Sequence, residues 1–190
     1  MKEIVGIITV VIAILGYIPY FADIFKGKTK PHLFSWILWL ITTILVFIGQ
    51  VQKGAGPGAW STGITGILVC LVTILALKKG SKNIILTDKI MFVIALISIV
   101  PWFLTHDPTL SVLILTGINV AAAVLTMRKV IRQPGNESVS LYIANILRHF
   151  LSIVAISNYN LATYIFPGAL FVTNIIMVSI VFNPKHKNVQ

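Results

Sequence analysis

The sequence predicts an all-α polytopic membrane protein of seven transmembrane helices, and three observations predict it. Hydrophobic residues make up 57% of the 190-residue chain and charged residues 11%, with a mean hydropathy of +0.94. The polar connections between apolar runs are too short to coat a soluble core of that size. Seven runs reach the roughly 20 residues that a helix needs to cross a hydrocarbon core of about 30 Å. Finally, twelve of the 15 lysines and arginines fall at alternate junctions between these runs, the pattern of loops held on one side of a bilayer.

The runs occupy about residues 4–25, 32–52, 58–77, 86–105, 109–129, 138–157 and 160–182. Each boundary has a local cause. The first run closes on Pro19 and Asp23 and turns through Lys26, Lys28 and Lys30 before the second opens with Trp36 and Trp39. Gly54, Gly56, Pro57 and Gly58 break the second from the third. Lys78, Lys79 and Lys82 end the third, where the helix dipole also favours cations. Asp107 and Pro108 read as an N-cap and a proline in the first turn, and they start the fifth. Gln133, Pro134, Gly135 and Asn136 separate the fifth from the sixth. Asn158 to Asn160 make a short link to the seventh, and Asn183 with Pro184 stops it.

The twelve clustered cations follow spans one, three, five and seven, whereas Lys2 and Lys53 mark the other side. The positive-inside rule therefore puts the amino terminus outside and the carboxyl terminus inside a cytoplasmic membrane. Residues 4–25 read as a retained span and not as a removable signal. Seven spans divide as 3+1+3: residues 1–82 as one triple-helix bundle, 83–107 as a linker helix and 108–190 as a second, parallel bundle. The net charge of +10 follows topology, so nucleic acid is not the expected partner. A small solute and membrane lipids are, and self-association is compatible with them. The single Cys70 excludes an internal disulfide and a cysteine metal cluster. Without metal-ligand spacing, a nucleotide-binding loop or a nucleophile paired with a base, neither a cofactor nor an enzyme activity is expected.

Within the first hairpin, Gly16, Tyr17, Ile18 and Pro19 are followed by Lys26, Pro31, Ser35 and Trp36. With the seven-run topology, this segment resembles the PQ-loop and SWEET-like superfamily of membrane transporters, and the chain looks like a divergent bacterial member. The superfamily commonly carries a proline-glutamine pair near the end of the first helix of each triplet. Here Pro19 precedes Tyr20, and the matching part of span five, around Val124 and Leu125, has no proline. The resemblance implies two bundles rocking about a central path for a sugar or sugar-like solute. Alternatives are a nicotinamide-riboside-like vitamin, proton-coupled movement of amino acids, or a receptor of the same fold that moves nothing.

Candidate site residues come from polar groups within apolar runs. Asn119, Asn145 and Asn174 fall at similar depths, roughly 16–21 Å from the outer ends of their spans by helix rise. An amide facing lipid leaves its hydrogen bonds unmade, so each is expected to point inward, as helix glue or as a solute ligand. The resemblance implies the ligand role for Asn174, with Cys70 as its weaker counterpart in the first bundle. Arg148 sits roughly 13 Å inside span six, where a cation needs a buried partner or a wet path. It is expected either to bond amides such as Asn145 or to recognise an anion. His149 projects about 100° further round the helix and need not share that face. His149 and Asp23 are the candidates for proton coupling, although Asp23 has an ordinary partner in Lys26 at three residues' separation. Trp36 and Trp39 share a face, and Trp39 is placed either against solute or in the interfacial belt. Pro19 and Pro167 deprive the carbonyls of Leu15 and Thr163 of their helical donors and are hinge candidates.

Overall fold

The computed structural model describes residues 1–27, 31, 33–80, 86–132 and 139–182. Among these the chain is helical throughout, with no strand: α1 (Lys2–Phe25), α2 (Leu33–Gln52), α3 (Trp60–Lys79), α4 (Leu86–Ile97), α5 (Ile99–Thr105), α6 (Thr109–Arg132), α7 (Val139–Val154) and α8 (Leu161–Phe182). Three stretches, Lys2–Phe25, Gly56–Lys79 and Leu161–Phe182, are long and apolar enough to cross a membrane, and Trp36–Gln52, Thr109–Ala121 and Tyr142–Val154 are shorter apolar helices.

The packing is inside out relative to a water-soluble bundle. On α1 the exposed residues are Ile4, Ile7, Ile8, Val11, Ile14, Leu15 and Ile18, a helical stripe of large aliphatic side chains, while the buried ones are Gly6, Thr9, Ala13 and Ile24. Large apolar groups face out and small or hydroxylated ones face in, as hydrocarbon surroundings favour.

Helix α3 packs against both α1 and α2, which scarcely touch each other, and α8 packs in the same way between α6 and α7. The two halves meet chiefly where α1 lies along α7, with a lesser seam between α2 and α6. Leu38 and Val46 of α2 join Leu115 and Ile118 of α6 and Phe166 of α8 in a central apolar cluster. A second cluster lies inside the first half, where Trp36 packs on Ile24, Val69 and Val72, with Tyr17, Tyr20 and Phe21 at its edge.

Span four departs from expectation. One continuous run over 86–105 was expected, but α4 stops at Ile97, Ser98 forms a turn, and α5 restarts at Ile99. Pro101 has no N–H for the carbonyl of Ile97, and the Ser111 hydroxyl of α6 donates to the Ser98 carbonyl at the break. The start of α6 agrees with its sequence signal: Asp107 Oδ1 accepts the Thr109 N–H at 2.8 Å. The α7–α8 link ends in a capping box, with Asn160 Oδ1 accepting the Thr163 N–H at 3.3 Å and Thr163 Oγ1 accepting the Asn160 N–H at 3.0 Å.

At one end of the bundle these caps and turns knit the halves together. Lys2 Nζ donates to the Ile156 carbonyl at 2.7 Å. The Ser157 N–H reaches Ala55 O at 2.9 Å and the Asn158 N–H reaches Gly54 O at 3.1 Å. Asn160 Nδ2 donates to Lys53 O at 2.9 Å. Gly58 permits this approach: a Cβ there would stand 2.6 Å from Ile156 Cγ1 and 2.8 Å from its Cα. Gly58→Val should therefore lower stability by about 2 kcal/mol through overpacking, read as a reduced thermal midpoint of the purified protein; an unchanged midpoint contradicts this packing.

Lys53 also pairs with Asp107 at 2.7 Å across this end, and the carboxyl is pulled down to about 2, first by the Lys53 hydrogen bond and then by those of Thr109. The folded pKa lies below the unfolded value of about 3.9, so the pair stabilises above that value and the gain is lost as pH falls through about 2. Thermal midpoints of wild type and Asp107→Asn should thus differ at pH 6 and converge as pH is lowered from about 4 to 2.

Candidate functional site

The polar groups of α7 form one stripe. Asn145, Arg148 and Ser152 follow each other at three- and four-residue spacing, which places them on one face, and that face meets the first half. Ser152 Oγ lies 2.7 Å from Ser61 Oγ of α3 and donates to the Arg148 carbonyl at 2.8 Å. Arg148 Nη1 donates to Thr65 Oγ1 at 2.6 Å, and Thr65 in turn donates to the Ser61 carbonyl at 2.7 Å. Arg148 Nη2 stands 3.1 Å from His149 Nε2. Arg148 is 8% exposed and His149 4%. The Arg148 Nε–H is buried without an acceptor, although the Tyr17 side chain of α1 lies close enough to interact electrostatically with the guanidinium.

Arg148 and His149 thus meet although their Cα–Cβ bonds diverge, because the arginine side chain is long enough to turn back round the helix. Asn145 lies one turn below and is half-buried. The hydroxyls of Ser61, Thr65 and Ser152 were not singled out by sequence reasoning. Ser61 and Thr65 stand four residues apart on α3, as do Arg148 and Ser152 on α7, and that spacing was the available signal.

Burial along the helices is uneven. On α2, Gln50 and Val46 are 0% exposed and Thr42 is 1%, Trp39 is 39% exposed, and Leu38 and Trp36 beyond it are buried again. On α6, Val112 and Leu115 are fully buried, whereas Asn119, one turn further along, is half-buried. On α7 the stripe passes from buried Ser152 and Arg148 to half-buried Asn145. Hydrogen bonds tie the halves at the end carrying Lys2, Lys53 and Asn158, where an open pocket lined by Lys53, Thr109, Asn158 and Asn160 also lies. Trp39, Asn119 and Asn145 stand further along their helices. Trp39 also stacks edge-on against Trp36 at 5.1 Å, which holds the exposed ring against a buried one.

Two amides are oriented by their own helices. Asn174 Nδ2 donates to Leu170 O at 2.6 Å and Asn119 Nδ2 to Leu115 O at 2.9 Å. Only nitrogen can donate to a carbonyl, so each Oδ1 is turned away from its own helix's carbonyl. Asn174 is buried at 9% exposure. Cys70 lies elsewhere, in an apolar groove between α2 and α3 with Thr43, Phe47, Gly63 and Gly66, and so within the first half alone. Asp23 is half-buried in the last turns of α1, away from the Arg148 cluster.

The prolines differ. Pro19 is exposed on a continuous α1, while Pro167 is buried in α8. The Thr163 carbonyl freed by Pro167 accepts a bond from Gln50 Nε2 of α2 at 3.4 Å, so the missing helical donor is replaced across the two halves. Gln50 Oε1 is buried without a partner.

Among the described residues no group of three or more histidine, cysteine or acidic side chains could hold a metal. Comparison with protein-family models, with characterised proteins and with solved structures returns no significant match.

A lone buried cation is poor structural cement, because apolar replacements of similar volume are often neutral or stabilising. Arg148→Met should hold or raise the thermal midpoint, whereas Ser152→Ala should lower stability by about 1 kcal/mol by leaving Ser61 without its partner. Thermal unfolding of the two variants side by side checks this order, and a collapse of Arg148→Met alone reverses it.

Proposed function

We propose that the protein is a multi-pass small-solute transporter or facilitator of a bacterial cytoplasmic membrane, working by alternating access between two parallel triple-helix halves. The observation that carries this reading is the repeated arrangement of the halves: α3 between α1 and α2, and α8 between α6 and α7. α4 and α5 together form the linker that restores the orientation of the second half, giving the chain seven crossings.

Charge supports the orientation. One end of the helices carries Lys2 and Lys53 and the other the clustered cations, so the amino terminus is outside and the carboxyl terminus inside. Trp39 supplies an aromatic face, and Asn119, Asn145 and Asn174 supply amides. Aromatic stacking and fixed acceptors are what a hydroxylated solute requires. The resemblance to the PQ-loop and SWEET-like superfamily agrees with a sugar or sugar-like solute. Pro167 and its Gln50 bond act as the hinge and latch of the outer seal, and Pro19 faces outward on the moving first half.

A cross-link tests the mechanism. In a Cys70→Ser background, Ser61→Cys with Ser152→Cys replaces hydroxyls 2.7 Å apart by thiols within bonding reach. In proteoliposomes the oxidised protein should lose at least ten-fold in solute flux and regain it on reduction, with the thermal midpoint retained. Equal flux in both redox states contradicts alternating access, and saturable solute binding without flux assigns the fold to a receptor.

A further inference from the structure

We propose that Arg148 is the recognition group for a carboxylate on the transported solute, at the face of α7 that meets the first half. The inference rests on the transporter reading for its route of access and on the geometry of Arg148 for its chemistry.

Arginine does not give up its proton in proteins, so this side chain is a cation whatever its surroundings. A buried cation is retained where something of opposite charge meets it. The chain has five acidic residues. Glu3 and Asp23 stand near the ends of α1, and Asp107 is engaged by Lys53. Glu137 and the Asp88 side chain lie outside what the structure describes. Among the described residues no carboxylate pairs with Arg148. Its partners there are neutral or uncharged acceptors: the Thr65 hydroxyl at 2.6 Å and His149 Nε2 at 3.1 Å.

The unmet need points to the ligand. Thr65 occupies Nη1 and His149 stands at Nη2, while the Nε–H, which shares an edge with Nη2, is buried with no acceptor. With His149 turned aside, that edge is a two-donor fork. A carboxylate presents two coplanar oxygens at matching spacing and takes such a fork bidentately. A neutral sugar hydroxyl leaves the charge uncompensated. Asn145, one turn along α7 and half-buried, shares the face of Arg148. A solute with a carboxylate at one end and hydroxyls along its length would meet the guanidinium first and the amides behind it.

The test is calorimetric binding to the purified protein in nanodiscs, with gluconate and glucose as a charged and neutral pair of similar skeleton, and acetate, inorganic phosphate and chloride beside them. Gluconate should bind at least ten-fold more tightly than glucose, and acetate should compete with it. Arg148→Met should abolish gluconate binding while remaining folded by thermal unfolding. Thr65→Val, which removes the hydroxyl that fixes Nη1 and leaves the charge in place, should weaken it about five-fold. Equal binding of glucose and gluconate, preference for chloride or phosphate, or unchanged gluconate affinity in folded Arg148→Met each overturns the proposal. Should Arg148→Met fail to fold, unchanged affinity in Thr65→Val overturns it instead. Gluconate binding lost in the variants but without flux in liposomes leaves the carboxylate site standing and removes the transporter reading; glucose flux without carboxylate binding does the reverse.

Discussion

A guanidinium inside an apolar body constrains everything packed around it. Arg148 cannot neutralise itself, and it sits on a helix whose other side is Ile143, Leu147, Phe150 and Val154, all exposed as a lipid-facing stripe would be. Turning that stripe outward turns Asn145, Arg148 and Ser152 inward, and the partners they meet are the hydroxyls of Ser61 and Thr65 on α3. The orientation of α7, its docking against the first half and the position of the seam between the halves all follow from one charge that must not face hydrocarbon.

The seam is held in different ways along its length. At the Lys2 end it is closed by backbone bonds between the Gly54–Ala55 turn and Ser157–Asn158, by the Gln50 bond to the carbonyl that Pro167 frees, and by an ion pair. Further in, Leu38, Val46, Leu115, Ile118 and Phe166 close it by apolar contact, and α7 meets α3 through the Ser152–Ser61 and Arg148–Thr65 bonds. Most of the hydrogen bonds between halves among the described residues belong to the Lys2 end. Several of them are long or made by residues with an unmet atom, such as Gln50 Oε1. Bonds of that kind release at low cost, because little net stabilisation is lost when water replaces them.

Much of this was legible in the sequence, and for identifiable reasons. Helix ends were readable because their signals are local: Asp107 caps α6, the glycines from Gly54 to Gly58 turn the chain, and Asn160 starts α8. The consequence of Pro167 for the Thr163 carbonyl was also local. What answered it, Gln50 more than one hundred residues away, was not. The break at Ser98 was missed because hydropathy continues unbroken through Pro101, and because the hydroxyl that bonds the Ser98 carbonyl at the break comes from Ser111 on the next helix. The serines and threonines of the Arg148 cluster were silent for a related reason. In a helix such hydroxyls can bond their own preceding turn, as Thr65 does with Ser61, so their four-residue spacing alone does not mark those that also face a partner. Cys70, matched to Asn174 by position in its triplet, lies in a groove of its own half. A repeat in the sequence fixes height along a helix more firmly than direction around it.

The central claim is that the two halves exchange which end of their seam is closed. Spin labels at Trp60 and Leu161, where α3 and α8 begin, and in a second sample at Lys79 and Phe182, where they end, report the two ends of the seam as distance distributions. Titrating gluconate into the labelled protein in nanodiscs should narrow one distribution while widening the other, with two populations exchanging weight at each end. Distances that stay single and unmoved at both ends throughout the titration would contradict it.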